Sequence, residues 1–171
     1  YMLGAYLTLM IYLSINGFFF LCVILSIILT GVAGFCLDRF ALRRLRKQNA
    51  PRLAGLITTL GMSMVIENCI LVFFGSESKP FPNMIDFGRM EFGGAVVSWT
   101  QIIILLVACT LMVLLSLIVY RTKLGKAMRS TAQNVDAARL MGVNINQVIS
   151  FTFITSGMLA AIAGTMVGMY Y

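Results

Sequence analysis

The sequence predicts an all-α fold: a polytopic transmembrane helix bundle of about five spans, with an amphipathic cytoplasmic helix between the last two. Three observations carry that prediction. Only 11% of the residues are charged, against about a quarter in a soluble domain. Those charges are clustered, and none occurs in residues 1–37, 92–120 or 140–171. Each of these stretches exceeds the roughly 20 residues a helix needs to cross a bilayer. The Lys and Arg residues, finally, crowd into two of the connections and not the others.

The elements follow in order. A first segment covers residues 1–13 and ends at a polar break, Ser14 and Asn16. The second covers 17–37, the third 53–74, the fourth 96–120 and the fifth 148–171. The fourth carries its own ruler. Trp99 and Tyr120 stand near its ends, roughly 30 Å apart along a helix, which is the hydrocarbon thickness. Aromatic residues favour the two interfaces. Residues 1–171 are read as one transmembrane domain. The chain opens and closes inside apolar runs, without an initiator Met or a basic leader, so it is expected to be an internal piece of a longer parent.

The connections orient the bundle. Between the second and third segments lie Arg39, Arg43, Arg44, Arg46, Lys47 and Arg52 against Asp38. Between the fourth and fifth lie Arg121, Lys123, Lys126, Arg129 and Arg139 against Asp136. Short basic loops stay in the cytoplasm. The third connection balances Lys79 and Arg89 with Glu77, Asp86 and Glu91, and is external. Its Pro80, Pro82, Gly88, Gly93 and Gly94 predict an irregular loop, a connector or a contact for an extracytoplasmic partner. The formal net charge of +7 is thus a matter of topology, not of nucleic-acid binding. Cys22, Cys36, Cys69 and Cys109 stand singly in apolar segments and read as small buried hydrophobes. The chain has no histidine, no Ser/His or Cys/His pair and no metal-type spacing. That argues against an intramembrane enzyme, and no catalytic residue, metal or cofactor is expected.

Residues 121–147 are the most informative connection. Leu124, Met128, Ala132, Val135, Ala138 and Met141 recur at three- and four-residue steps, which predicts one helix from near Leu124 to a stop at Gly142. Such a helix either lies on the lipid surface or docks into another protein. Within the spans, Glu67-Asn68 is the polar interruption. A charged side chain costs at least about 2.5–3.5 kcal/mol at a bilayer centre. Glu67 therefore lines a solute pathway, makes a buried structural hydrogen bond, or sits near the external interface. Gly157, Ala161, Gly164 and Gly168 form a small-residue ridge, for packing inside the bundle or at a subunit contact. Gly31, Gly34, Gly61 and Ser63 read the same way.

Asp136-Ala137-Ala138, followed after three residues by Gly142, resembles the Glu-Ala-Ala-x-x-x-Gly coupling loop of bacterial ATP-binding-cassette importers. The wider stretch 124–164 resembles the permeases for branched-chain amino acids. It reads Leu124-Gly125, Ala127, Arg129-Ser130 and then Leu140-Met141-Gly142-Val143-Asn144. Tyr1-Met2-Leu3-Gly4-Ala5-Tyr6 and Ile57-Thr58-Thr59-Leu60-Gly61-Met62-Ser63 are similar to earlier parts of the same family, in family order. Departures are Asp136 for Glu, Ser130 for Ala, and the absence of an Ile-x-Leu-Pro sequence after the loop.

The resemblance implies the channel half of an ATP-driven importer in the bacterial inner membrane. Its partners would be cytosolic ATPase subunits, a second permease subunit as homo- or heterodimer, and an extracytoplasmic solute-binding protein. Leu124, Gly125, Ala127, Arg129, Asp136, Ala137, Ala138 and Gly142 would form the ATPase-coupling loop. The chain has no Gly-x-x-x-x-Gly-Lys phosphate loop, in keeping with ATP bound elsewhere. Leucine, isoleucine and valine are the family's default solutes. Urea, short amides or other amino acids belong to its relatives, and a passive membrane scaffold is the alternative from another class.

Overall fold

The computed structural model describes residues 1–15, 19–47, 52–75, 89–92 and 95–170. Charge-free sequence forms long helices because a backbone removed from water must satisfy its own hydrogen bonds. The order is α1 (Met2–Ile15), α2 (Phe19–Leu37), a π-helical turn (Asp38–Leu42), α3 (Arg43–Lys47) and α4 (Arg52–Phe74). There follow β1 (Arg89–Phe92), β2 (Ala95–Ser98), α5 (Trp99–Arg121), α6 (Lys123–Gln133), α7 (Val135–Leu140) and α8 (Ile145–Tyr170). Four helices, Phe19–Leu45, Leu53–Phe74, Trp99–Arg121 and Ile145–Tyr170, are long and apolar enough to cross a membrane. α1, with 14 residues, spans about 21 Å. The chain is thus an all-α, multi-pass membrane bundle.

Three local expectations are corrected. The fourth segment starts at Trp99 and not at residue 96. Residues 95–98 pair instead as β2 with β1, an antiparallel hairpin in register Arg89 with Ser98 and Phe92 with Ala95. This hairpin stands where an irregular loop is expected. The remainder of that loop, Pro80 and Pro82 included, lies outside the described residues. Second, the basic residues after α2 do not begin a loop, because the helix runs on through the π-turn as far as Lys47. Third, of the cysteines only Cys22 is buried, while Cys36, Cys69 and Cys109 are exposed on the outer faces of their helices. An apolar surface facing lipid gains nothing by turning inward.

The core follows from that. Thr8, Cys22, Ser26, Ala161 and Thr165 have no exposed surface, whereas Phe20, Val72 and Phe73 are about 80% exposed. Lipid tails are as apolar as leucine, so small residues that let backbones approach decide helix contacts. α8 packs most extensively on α2 and also crosses α1. A Cβ on Gly164 would strike the Tyr1 carbonyl, one on Gly157 the Thr30 carbonyl, and one on Gly34 the Phe153 carbonyl. The pairs Thr30 with Gly157 and Gly34 with Phe153 run in opposite directions, so α2 and α8 are antiparallel. The end of α2 and the start of α8, which border the two basic stretches of sequence, therefore lie at the same end of the bundle. Where α1, α2 and α8 meet, the Gly4 carbonyl accepts from the Thr8 and Ser26 hydroxyls, each at 2.9 Å. Gly168 is half-buried. Gly61, read with the packing glycines, meets nothing within 4 Å.

Candidate functional site

The site is a corner built from α5, α6, α7 and the foot of α8. α5 ends at Arg121 and is followed by Thr122, whose extended backbone turns the chain and whose side chain accepts from the Gly125 amide at 2.9 Å. That is an N-cap, which satisfies an amide left over at a helix start. Gly125 is buried, and a Cβ there would meet the carbonyl oxygens of Ile118 and Val119. The absence of a side chain is what lets α6 fold back tightly on the end of α5. The Arg129 guanidinium then lies over the Tyr120 ring, 4.9 Å from its centre, a cation–π contact that braces α6 against α5.

The single helix expected over 124–142 is broken in two. Asn134 adopts an extended conformation, φ −152° and ψ 113°. Its Oδ1 accepts from the amides of Asp136 (3.0 Å) and Ala137 (3.2 Å). Asparagine caps a new helix better than it continues an old one. The break changes which residues share a face. Ala138 is buried and Met128 and Val135 are half-buried, but Leu124, Ala132 and Met141 are exposed. Thr131 and Gly125 take the buried positions instead.

The stop at Gly142 has the expected chemistry. Gly142 has φ +80°, a region open to glycine at no steric cost. Its amide donates to Arg139 O at 3.0 Å, and the Val143 amide to Ala138 O at 3.0 Å. These are the two bonds of a Schellman end. Leu140 and Met141, just before it, are 91% and 81% exposed. Two large apolar side chains are thus held in the open at the tip of a capped helix. Of the residues singled out from sequence, Asp136 and Arg129 are exposed, Ala127 and Ala137 half-buried, and Ala138 buried. Leu140 and Met141 stand in the sequence only as part of the family match and, for Met141, of the apolar stripe, and neither is among the expected coupling residues. The signal available was their position beside the glycine stop, where a short last turn has no neighbour to cover it.

Glu67 and Asn68, adjacent in α4, part company. Glu67 lines a groove of about 330 Å³ between α1, α2, α4 and α8, with Thr30, Ser63 and Gly157. The Thr30 hydroxyl is buried there without a hydrogen-bond partner among the described residues. Both side chains are exposed, and Asn68, which does not line that groove, donates from its side-chain amide to Met64 O at 2.8 Å. The sequence could place both in the membrane but could not tell which of them lines this groove. Asp38, which the sequence offers only as a loop charge, is fully buried and accepts from the Ser150 hydroxyl.

A family profile described as the branched-chain amino acid transport system permease component matches residues 1–171. The chain belongs to that permease family. It is 36% identical over 150 residues to the high-affinity branched-chain amino acid transport system permease protein BraD of Pseudomonas aeruginosa, covering 85% of this chain and 48% of that one. It is 28% identical over 183 residues to the corresponding permease protein LivH of Escherichia coli K12, covering all of this chain and 59% of the relative. A probable branched-chain amino acid transport permease protein LivH of Methanocaldococcus jannaschii is 29% identical over 89% of this chain and 50% of its own length. The permease chain therefore spans about half the length of these relatives. No solved structure matches it.

Proposed function

We propose that this permease chain is the membrane-spanning part of an ATP-driven importer of branched-chain amino acids in the bacterial cytoplasmic membrane. The observation that carries this is the corner at the cytoplasmic end. Leu140 and Met141 project from a short helix whose start is capped by Asn134 and whose end is fixed by Gly142. Family membership, and relatives named as branched-chain amino acid transport permeases, support the solute class. In this reading separate cytosolic ATPase subunits hold the nucleotide, and a pocket on their surface receives the α7 tip. A second permease subunit completes the channel, and a solute-binding protein delivers leucine, isoleucine or valine from outside. Nucleotide-driven closure of the ATPases displaces α7, and the helices behind it switch access from one side to the other. In this reading Glu67 belongs to the solute path, supported by the groove that it lines together with Thr30 and Ser63.

The test is uptake of labelled leucine, isoleucine and valine by cells with and without the gene for the intact protein, in a background free of other carriers. Loss of ATP-dependent uptake on deletion is the expected result. Unchanged uptake of all three would reject the solute assignment, and the same assay with urea and other amino acids would then define the replacement.

A further inference from the structure

Asp38 is the only charged side chain that is fully buried among the described residues. Burying a carboxylate is strongly unfavourable unless its oxygens are bonded. Here the Ser150 hydroxyl donates to Oδ2. The two residues lie 112 positions apart in sequence, yet they tie together two particular places. Asp38 is the first residue of the π-turn that ends α2. Ser150 lies in the second turn of α8, which begins just after the Gly142 stop of the coupling corner.

The π-turn is a second, independent peculiarity. A wider turn inside a helix has poorer geometry than the α-helix it interrupts, and persists where position matters. One extra residue turns everything after it by about 100° relative to an unbroken helix. Here Asp38 is buried against α8 while Arg39 and Arg44, which follow it, stay exposed. The same turn packs on α4 as well as on α8. Leu42, at its end, reaches toward Gly55 of α4. A path of direct contacts thus runs from α7 through the foot of α8, across the Ser150–Asp38 bond, into the π-turn and on to α4, which carries Glu67.

We propose that Asp38 is a positioning residue for energy coupling: its bond to Ser150 makes the end of α2 follow the foot of α8 when a cytosolic partner moves α7. This rests on the importer reading given above. Removing the bond leaves the tip intact and able to engage the ATPase, and leaves α2 packed on α8, but frees the π-turn, so that hydrolysis proceeds without moving α4, which packs on that turn and carries Glu67. Coupling is lost before assembly is.

The experiment uses the intact protein assembled with its ATPase and permease partners in liposomes, with binding protein and labelled leucine. Hydrolysis and uptake are measured in the same vesicles. Ser150→Ala is expected to raise the ATP hydrolysed per leucine imported by roughly three- to tenfold, the size of coupling between side chains in contact. The amount of assembled complex stays at the wild-type level. Ser150→Thr, which restores a hydroxyl, brings the ratio back. Asp38→Ala gives a similar rise, and the double variant is no worse than the larger single one. A wild-type ratio in Ser150→Ala, or uptake and hydrolysis falling together in proportion to assembled complex, overturns the proposal. Wild-type vesicles that show no ATP-dependent leucine uptake overturn the importer reading, and this proposal with it.

Discussion

At Gly142 a single backbone angle, φ +80°, decides where the α6–α7 corner ends. An L side chain in that region costs about 1–2 kcal/mol. Gly142→Ala should therefore fray α7 from its C-terminal end. Faster hydrogen exchange at the Gly142 and Val143 amides, which donate to Arg139 and Ala138, would report it. The exposed pair beside it makes a complementary prediction. Leu140→Asp with Met141→Asp removes apolar surface that contacts little else in the chain. Helix content should stay unchanged, while co-purification of the ATPase subunits with the intact protein should fall at least about tenfold, the loss of a small hot spot. Unaltered co-purification would show that the tip is not the docking element.

At the scale of elements, the division of α6 from α7 was partly written in the sequence. Asn134 followed by Asp136 is a helix-start signature, but the apolar spacing from Leu124 to Met141 runs straight across it. Spacing counts faces on an unbroken helix, and one extended residue is enough to reset the count. Asn134→Ala should cost about 1 kcal/mol of cap and favour a single continuous helix. The amides of Asp136 and Ala137, which now bond to Asn134 Oδ1, are the probes. Packing of the long helices gives a second test. Gly164→Ile places a branched side chain against the Tyr1 carbonyl. Overpacking of that kind typically costs 1–3 kcal/mol or about that, and should appear as a lower unfolding temperature of the purified intact protein. The equivalent change at Gly61, which meets nothing within 4 Å, should have much less effect.

For the whole molecule, orientation is the property most open to direct measurement. Single cysteines at Arg44 and Lys123, placed in a variant lacking the four native ones, should react with a membrane-impermeant maleimide only from the cytoplasmic side. A cysteine at Ser98 should react only from outside. The antiparallel contact of α2 with α8 sets Asp38 beside Ser150 at one end of the bundle, and the basic residues on both sides of that end share its fate.

The sequence by itself determined that the chain crosses the membrane, which stretches form the long apolar helices, and where the basic residues gather between them. Those properties are sums over local stretches: apolar transfer adds residue by residue, and basic side chains resist translocation wherever they stand. The tertiary structure alone decided which helix faces meet, and so which polar residues are buried. Lipid and protein are equally apolar to a leucine, so hydrophobicity cannot choose between an inner and an outer face. That choice fell to close contacts such as Gly164 on Tyr1 and Gly157 on Thr30. Asp38 shows the consequence. Read locally it is one acid among arginines, and in the folded chain it is buried and bonded to Ser150, 112 residues away.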